Sequence, residues 1–249
     1  MCDHSELTFY TKSTECGTDS TLAPHVLMAD LQETADKGAD DTGWGREAIG
    51  RYGCCWIILR CRLKFTDLPA WKDGFTVKTW TCGVNKLFFD REYEICDKNG
   101  NVIGRATSVW IVAEKETHRP VFPSKLEDLP QDFAQSDRLS LGEPCPKLKI
   151  PDRGLYTDDP LIIKYADYSE LDHNHHVNNT RYVAWIYDAL YKSGVDVHRI
   201  NDININYISE VRAGEKIEIF ASEADNGMFI AGFKDGDRGV FASRVGYCI

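Results

Sequence analysis

Apolar residues along this chain fall first at helical spacing and then at strand spacing, and the same succession occurs twice. Val26, Leu27, Leu31, Thr34 and Ala35 recur at the period of a helix. Asp19-Ser20-Thr21 offers capping side chains ahead of it, Pro24 suits a first turn, and Gly38 and Gly43 punctuate its end. Strands follow. Residues 54–65 are rich in Ile, Leu and Trp, residues 75–80 are β-rich, and Leu87, Phe89, Tyr93 and Ile95 share one face at period two. Asp97-Lys98-Asn99-Gly100 is a hairpin turn, because Asn-Gly accepts the positive φ angles such turns need. A returning strand is expected from Val102 to Ala113.

From Thr117 to Pro160 the texture changes. Pro120, Pro123, Pro130, Pro144, Pro146 and Pro151 fall among polar and charged residues, with Pro160 at the boundary. This stretch reads as a linker or wrapping segment. The pattern then restarts: a strand over 161–166, a helix over 177–191 with Tyr182, Trp185, Ile186 and Leu190 available for one face, and alternation at Ile203, Ile205 and Tyr207 and again at Ile217 and Ile219. Residues 228–233 lead into a second hairpin turn, Lys234-Asp235-Gly236-Asp237, and residues 240–247 form a last strand.

Each half thus runs strand, helix, then four strands. That order describes an antiparallel sheet wrapped around one long helix, present twice: an α+β architecture of the tandem, or double, hotdog kind. The expected division is residues 1–130, a 131–160 linker, and residues 161–249. A duplicated unit can pair edges that a single one leaves open, and the seam is a natural place for an elongated apolar slot.

Composition narrows the function. The 29 basic and 39 acidic residues give a net charge of −10, unsuited to a general nucleic-acid binder. The longest apolar run is the six residues 54–59, far short of the roughly 20 that span a bilayer, so membrane insertion is not expected. Met1-Cys2-Asp3-His4 opens no signal or transit segment, and a cytoplasmic location is expected. The nine cysteines are odd in number and include no Cys-x-x-Cys pair, so Cys54, Cys55, Cys61, Cys82 and Cys96 read as small hydrophobes on strands.

The densest polar cluster is Glu170-Leu171-Asp172-His173-Asn174-His175-His176-Val177-Asn178-Asn179, between a strand and the second helix. A helix N-terminus there offers free N–H groups to a polarised oxygen. Three readings compete: a solvated loop with Asn and Asp caps, a metal site, and a metal-free acid–base site built from Asp172, Asn174 and His176. Three histidines this close in sequence do not easily converge on one ion, and no Cys cluster supports them. Neither a metal nor a cofactor is expected.

The stretch from Leu171 to Ile186 resembles the signature of acyl-acyl carrier protein thioesterases, L-D-x-N-x-H-V-N-N-x-x-Y-x-x-W. The first half resembles the family in Leu31-Gln32-Glu33-Thr34-Ala35, in Ala106-Thr107-Ser108-Val109-Trp110 and in the segment from Lys115 to Arg119. The resemblance implies a double hotdog that hydrolyses the thioester between a fatty acyl chain and carrier protein, with the catalytic Asp, Asn and His on Asp172, Asn174 and His176. It places a catalytic Glu on Glu210, on the next strand, but the family's following Cys is Val211 here. Without that thiol the expected nucleophile is water, activated by Glu210 with His176, while Asn174 polarises the carbonyl and Asp172 orients the Asn174 and His176 side chains.

The first half carries no Asp-x-Asn before His25, the residue placed loosely like His176, and Leu68, the counterpart of Glu210, has a carboxylate only one step away at Asp67. One catalytic site is therefore expected, in the second unit, with the acyl pocket in the first. His25 reads as a capping or packing residue and Glu33 as part of a solvated helix face. The partner implied is acyl carrier protein, whose acidity calls for a basic patch: Arg60, Arg62 and Lys64 on one strand, or Lys115, His118 and Arg119. An acyl-CoA thioesterase and a non-catalytic acyl-binding protein are the alternatives. Chain-length preference is not legible, and a monomer and a homodimer both suit the tandem repeat.

Overall fold

The computed structural model describes residues 4–132, 136–156 and 159–247. Cys2, Cys248 and the parts of the expected linker at 133–135 and 157–158 lie outside them. The chain divides between Cys145 and Pro146 into two compact units.

The first unit contains β1 (Ser5–Tyr10), α1 (Pro24–Asp41), the short α2 (Arg46–Gly50), β2 (Cys54–Phe65), β3 (Gly74–Asn85), β4 (Phe88–Asp97) and β5 (Val102–Glu114). Its strands lie in the order β1-β3-β4-β5-β2, and their pairings are antiparallel. The second unit contains β6 (Ile162–Tyr165), α3 (Asn179–Lys192), β7 (Ile200–Tyr207), β8 (Lys216–Ala224), β9 (Gly227–Lys234) and β10 (Arg238–Tyr247). Its order, β6-β8-β9-β10-β7, is the first unit's order repeated element for element. The repeat read from periodicity is therefore present in the topology.

One face of each sheet takes the helix. In α1 the buried residues are Leu27, Met28, Leu31, Thr34, Ala35, Gly38 and Ala39, and the helix packs against β1 and β3. Two sequence expectations change here. Asp19 does not cap α1; its carboxylate accepts the N–H of Thr21 in the preceding turn, and the N-cap is Ala23. Gly38 does not end the helix, which continues to Asp41. It is buried where a Cβ would run into the Arg91 guanidinium and sit 3.2 Å from Thr79, so the missing side chain lets helix and sheet approach. In α3, Tyr182, Val183, Trp185, Ile186, Ala189 and Leu190 are buried, and the Tyr182 ring meets Trp185, Tyr207 and Phe241 at 5.2 to 5.9 Å.

The opposite face of each sheet takes the proline-rich segment, which wraps across it. Because strand side chains alternate, Thr79 and Arg91 face α1 while their neighbours Trp80 and Glu92 face away. There Trp80 Nε1 donates to the Arg138 carbonyl (2.8 Å), and the Arg138 guanidinium stacks on the Trp80 ring. The buried Glu92 carboxylate accepts from Ser140 N and Oγ and from Thr107 Oγ1. Arg62 pairs with Glu143 and Arg60 Nε donates to the Cys145 carbonyl. The segment repeats the manoeuvre in the second unit: Asn206 Nδ2 donates to the Leu148 carbonyl, Ile150 lies over Gly239, and Arg153 and Tyr156 stack on Phe220.

Glu92 is the anchor of this strap in the first unit. Glu92→Ala should lower stability in urea by about 2–3 kcal/mol and expose residues 136–145 to proteolysis. Glu92→Gln keeps an acceptor for Ser140 and should lose less.

Candidate active site

The loop that precedes α3 is tied to itself by one carboxylate. Asp172 Oδ1 accepts the backbone N–H groups of Asn174 (2.7 Å) and His176 (3.3 Å), and Asp172 Oδ2 faces Asn174 Nδ2 at 3.4 Å. Main-chain bonds close the same turn, from Asp172 N to the His176 carbonyl and from His175 N to the Asp172 carbonyl. The turn requires φ +62° at His175. Asp172 thus holds Asn174 through both backbone and amide, and it reaches His176 through the backbone N–H.

The helix end is occupied by the chain itself. Asn178 Oδ1 accepts from Thr180 N and Oγ1, so the first turn of α3 is capped by a side chain. Glu170 locks the loop to the helix from the other side: its Oε1 accepts from Trp185 Nε1 (2.6 Å) and its carbonyl accepts from Asn178 N.

Glu210 lies beyond the end of β7, in the loop to β8, and not on a strand as expected. Val177 N donates to the Val211 carbonyl (2.8 Å), and His176 and Arg212 form an antiparallel bridge. These contacts bring His176 Nε2 to 3.3 Å from Glu210 Oε2, with the imidazole side chain 16% exposed and the carboxylate 42%. All four expected residues are therefore gathered: Asp172 on Asn174, the same carboxylate on the His176 backbone, and His176 on Glu210. Among the described residues no group of three or more His, Cys, Asp or Glu side chains converges as metal ligands do.

Two residues escaped the sequence reading. Lys234, assigned there to a turn, is the buried last residue of β9, and its Nζ donates to the Glu210 carbonyl (2.6 Å) and to the Glu215 carboxylate (2.8 and 3.0 Å). Glu215 also accepts the Arg212 N–H at 2.7 Å. A lysine directly after the apolar run of β9 is the only trace these contacts leave in the sequence.

The first unit builds the same backbone with other side chains. Gly17 N donates to the Thr21 carbonyl as Asp172 N does to that of His176, and Ala23 N donates to Glu15 as Asn178 N does to Glu170. Leu22 N bonds the Pro69 carbonyl as Val177 N bonds that of Val211, and Ser20 has φ +64° where His175 has +62°. Asp172, Asn174, His176 and Glu210 thereby correspond to Gly17, Asp19, Thr21 and Leu68. His25 is therefore not the counterpart of His176; it lies further on, half-buried in the first turn of α1. Asp67 sits in a loop, so no strand periodicity governs it; its carboxylate accepts the Leu68 N–H. Glu33 is exposed on α1.

The family model for the acyl-ACP thioesterase N-terminal domain matches residues 4–127, and that for the acyl-ACP thioesterase C-terminal domain matches residues 157–239. The chain belongs to the acyl-ACP thioesterase family. Among curated members of the family, it is 25% identical over 237 residues to oleoyl-acyl carrier protein thioesterase 2 of Arabidopsis thaliana, a chloroplastic protein; the match covers 88% of this chain and 63% of that one. It is 26% identical to the chloroplastic palmitoyl-acyl carrier protein thioesterase of Gossypium hirsutum, over 88% of this chain and 54% of that one. The chain thus spans little more than half the length of these relatives. Among solved members of the family, an acyl-ACP thioesterase from Bacteroides thetaiotaomicron superposes with a TM-score of 0.85 at 24% identity, over 99% of this chain and 98% of that one. The 12:0-ACP thioesterase of Umbellularia californica gives 0.77 at 21%, over 98% and 97%. The fold is the α+β tandem hotdog of the acyl-ACP thioesterases.

This acyl-ACP thioesterase family member has no cysteine among the described residues of its second unit. The seven that are described are free and lie between Cys16 and Cys145. Burial pushes the Cys82 thiol up to about 11 and the Cys145 thiol up to about 12, and raises Cys54, Cys61 and Cys96 as well.

The Asp172 carboxylate makes the loop a testable unit. Asp172→Ala leaves the Asn174 and His176 N–H groups without their acceptor and should lower stability by about 1–2 kcal/mol, read from urea unfolding. Asp172→Asn retains an acceptor oxygen and should lose under about 1 kcal/mol.

Proposed function

We propose that this chain hydrolyses the thioester of a fatty acyl group carried on acyl carrier protein, releasing the free fatty acid. The observation that carries the proposal is the 3.3 Å approach of His176 Nε2 to Glu210 Oε2, beside the loop in which Asp172 fixes Asn174. The family's curated relatives named above are carrier-protein thioesterases, which supports the same substrate class.

In this mechanism Glu210 is the general base. Its carboxylate takes a proton from water while His176 holds the water from the other side, and the hydroxide oxygen attacks the thioester carbon. Asn174 donates its amide N–H to the carbonyl oxygen, which gains negative charge as the tetrahedral intermediate forms. Collapse breaks the carbon–sulfur bond, and the departing sulfur takes up the proton held by the Glu210–His176 pair. Asp172 acts by holding the turn that presents Asn174 and His176. Water rather than sulfur is the nucleophile, because the residue after Glu210 is Val211 and the described residues of the second unit include no cysteine.

The acyl chain is assigned to the first unit. A cavity of about 270 Å³ lies there, with Ala35, Ala39, Trp44, Trp56, Phe89 and Trp110 in its apolar lining and Asp36, Asp90 and Arg91 among its polar residues. Each of the three indole N–H groups already donates within the protein, to Pro130, Trp44 and Ser108 respectively, so the ring faces are what the cavity offers. Docking of the acidic carrier is assigned to Lys115, His118 and Arg119, which are exposed. Arg60 and Arg62 are less suited to it, since the 143–145 segment engages both. The same proposal places the reaction in a reducing compartment, the cytoplasm, in keeping with seven free cysteines.

Free-thiol release from dodecanoyl- and hexadecanoyl-acyl carrier protein tests the proposal. Glu210→Gln and His176→Ala should each lower kcat by at least about a hundredfold, while prior alkylation of accessible thiols leaves it within about twofold. Release from acyl-CoA but from neither carrier-protein substrate would move the assignment to coenzyme A esters, and silence on both would favour acyl binding without turnover. Reversing the charges of Lys115 and Arg119 should raise KM for the carrier-protein substrate about tenfold and leave a short soluble thioester unaffected.

A further inference from the structure

The loop carrying Glu210 is held at successive residues. Ile208 N and Ser209 N both donate to the Val240 carbonyl, and Ser209 Oγ donates to the Gly239 carbonyl. Lys234 Nζ donates to the Glu210 carbonyl, Val177 N to the Val211 carbonyl, and Arg212 N to Glu215. Of these, the Lys234 contact is the one in which a charged side chain donates, and it is made directly to the residue proposed as general base. The Lys234 side chain is 5% exposed and its counter-ion, Glu215, is 32% exposed.

A largely buried Lys–Glu pair is a weak device for stability, because desolvating two charges offsets most of their attraction. Its geometry says more. The ammonium has three N–H donors, and it divides them between the Glu215 carboxylate and a carbonyl at 2.6 Å. Glu215 in turn fixes the Arg212 N–H, in the residue bridged to His176. One ion pair therefore grips the chain on both sides of Val211, at the backbone of Glu210 and of Arg212.

The first unit provides an internal comparison. Ladder pairing puts Asp97 opposite Phe75 in β3, the place that Lys234 takes next to β8. Asp97 turns its carboxylate to its own hairpin, accepting from Asn99 N and Asn101 N. The neighbouring Lys98 pairs with Asp73, the counterpart of Glu215, at the surface, with exposures of 62% and 38%. Where the loop carries Leu68 in place of Glu210, the matching strand position holds an aspartate and the nearby Lys98 stays at the surface; where the loop carries Glu210, Lys234 is buried against that residue's backbone.

We infer that Lys234, with Glu215 as its counter-ion, is a positioning residue for the Glu210 carboxylate. The inference rests on the proposed role of Glu210 in hydrolysis. It acts through backbone placement, so it belongs to kcat rather than to substrate binding.

The test measures kcat and KM on hexadecanoyl-acyl carrier protein, with melting temperature alongside, for wild type, K234M, K234M/E215Q, E210Q and E210Q/K234M. The expected result is a kcat lowered about tenfold to a hundredfold in K234M with KM within about twofold. In K234M/E215Q the orphaned charge is gone, so melting temperature should recover while kcat stays low. In the E210Q background, K234M should have no further effect on kcat, because it has no base left to position. A K234M or K234M/E215Q protein with wild-type kcat, beside an inactive E210Q, overturns the inference and leaves the proposed hydrolysis standing. An equal further loss in E210Q/K234M also overturns it, since that marks a purely structural role. An inactive wild type, or an active E210Q, overturns the proposed function instead.

Discussion

An antiparallel sheet with apolar side chains on both faces must be covered on both, and one helix covers only one. The two units meet this constraint in the same way: α1 or α3 on one face, and the 136–156 segment crossing the other. That is why Glu92, a charged residue in mid-strand, is 1% exposed. Its carboxylate is the acceptor that ties the crossing segment down, with Trp80 and Arg138 stacked beside it. The prolines of this segment suit the task. A chain laid across strands cannot join their ladders, and residues lacking an N–H or held extended leave fewer backbone donors to satisfy there.

Duplication preserved hydrogen bonds and released side chains. The turn before each helix and the loop after the strand that follows it are joined by the same main-chain contacts in both units, down to the left-handed residue at Ser20 or His175. None of those contacts specifies the side chain at the positions of Asp172, Asn174, His176 or Glu210. One copy can therefore hold Gly17, Asp19, Thr21 and Leu68 with its framework intact, while the other gathers an acid–base set. The proposed division of labour, with chemistry in the second unit and the acyl chain in the first, is compatible with this freedom.

The sequence made some of this legible and concealed the rest for physical reasons. Strand extents such as 54–65, the Asn-Gly turn, the buried face of α3 and the repeat itself depend on local periodicity and turn chemistry, which a single sequence displays. The limits of α1 did not, because Gly38 answers to Thr79 and Arg91 rather than to its own helix. Alignment of His25 with His176 followed histidine identity; main-chain pairing, which only the fold reveals, selects Thr21. Asp172, Asn174, His176 and Glu210 were legible through the family signature, but the route by which Asp172 acts was not, since a backbone N–H leaves no mark on residue type. Lys234 was concealed by its own chemistry: a lysine next to Asp-Gly reads as a solvated turn until its partners are known.

Val211 connects the framework to the nucleophile. Its carbonyl accepts the Val177 N–H and its side chain is fully buried, so the position after Glu210 faces the interior while Glu210 itself faces His176. Burial alone disfavours the thiolate form of a cysteine at such a position. Val211, standing where the family resemblance implies a Cys, offers no thiol and keeps a core contact. The loop thus sets an apolar side chain that anchors the turn next to the Glu210 carboxylate, and the proposed reaction draws its nucleophile from water.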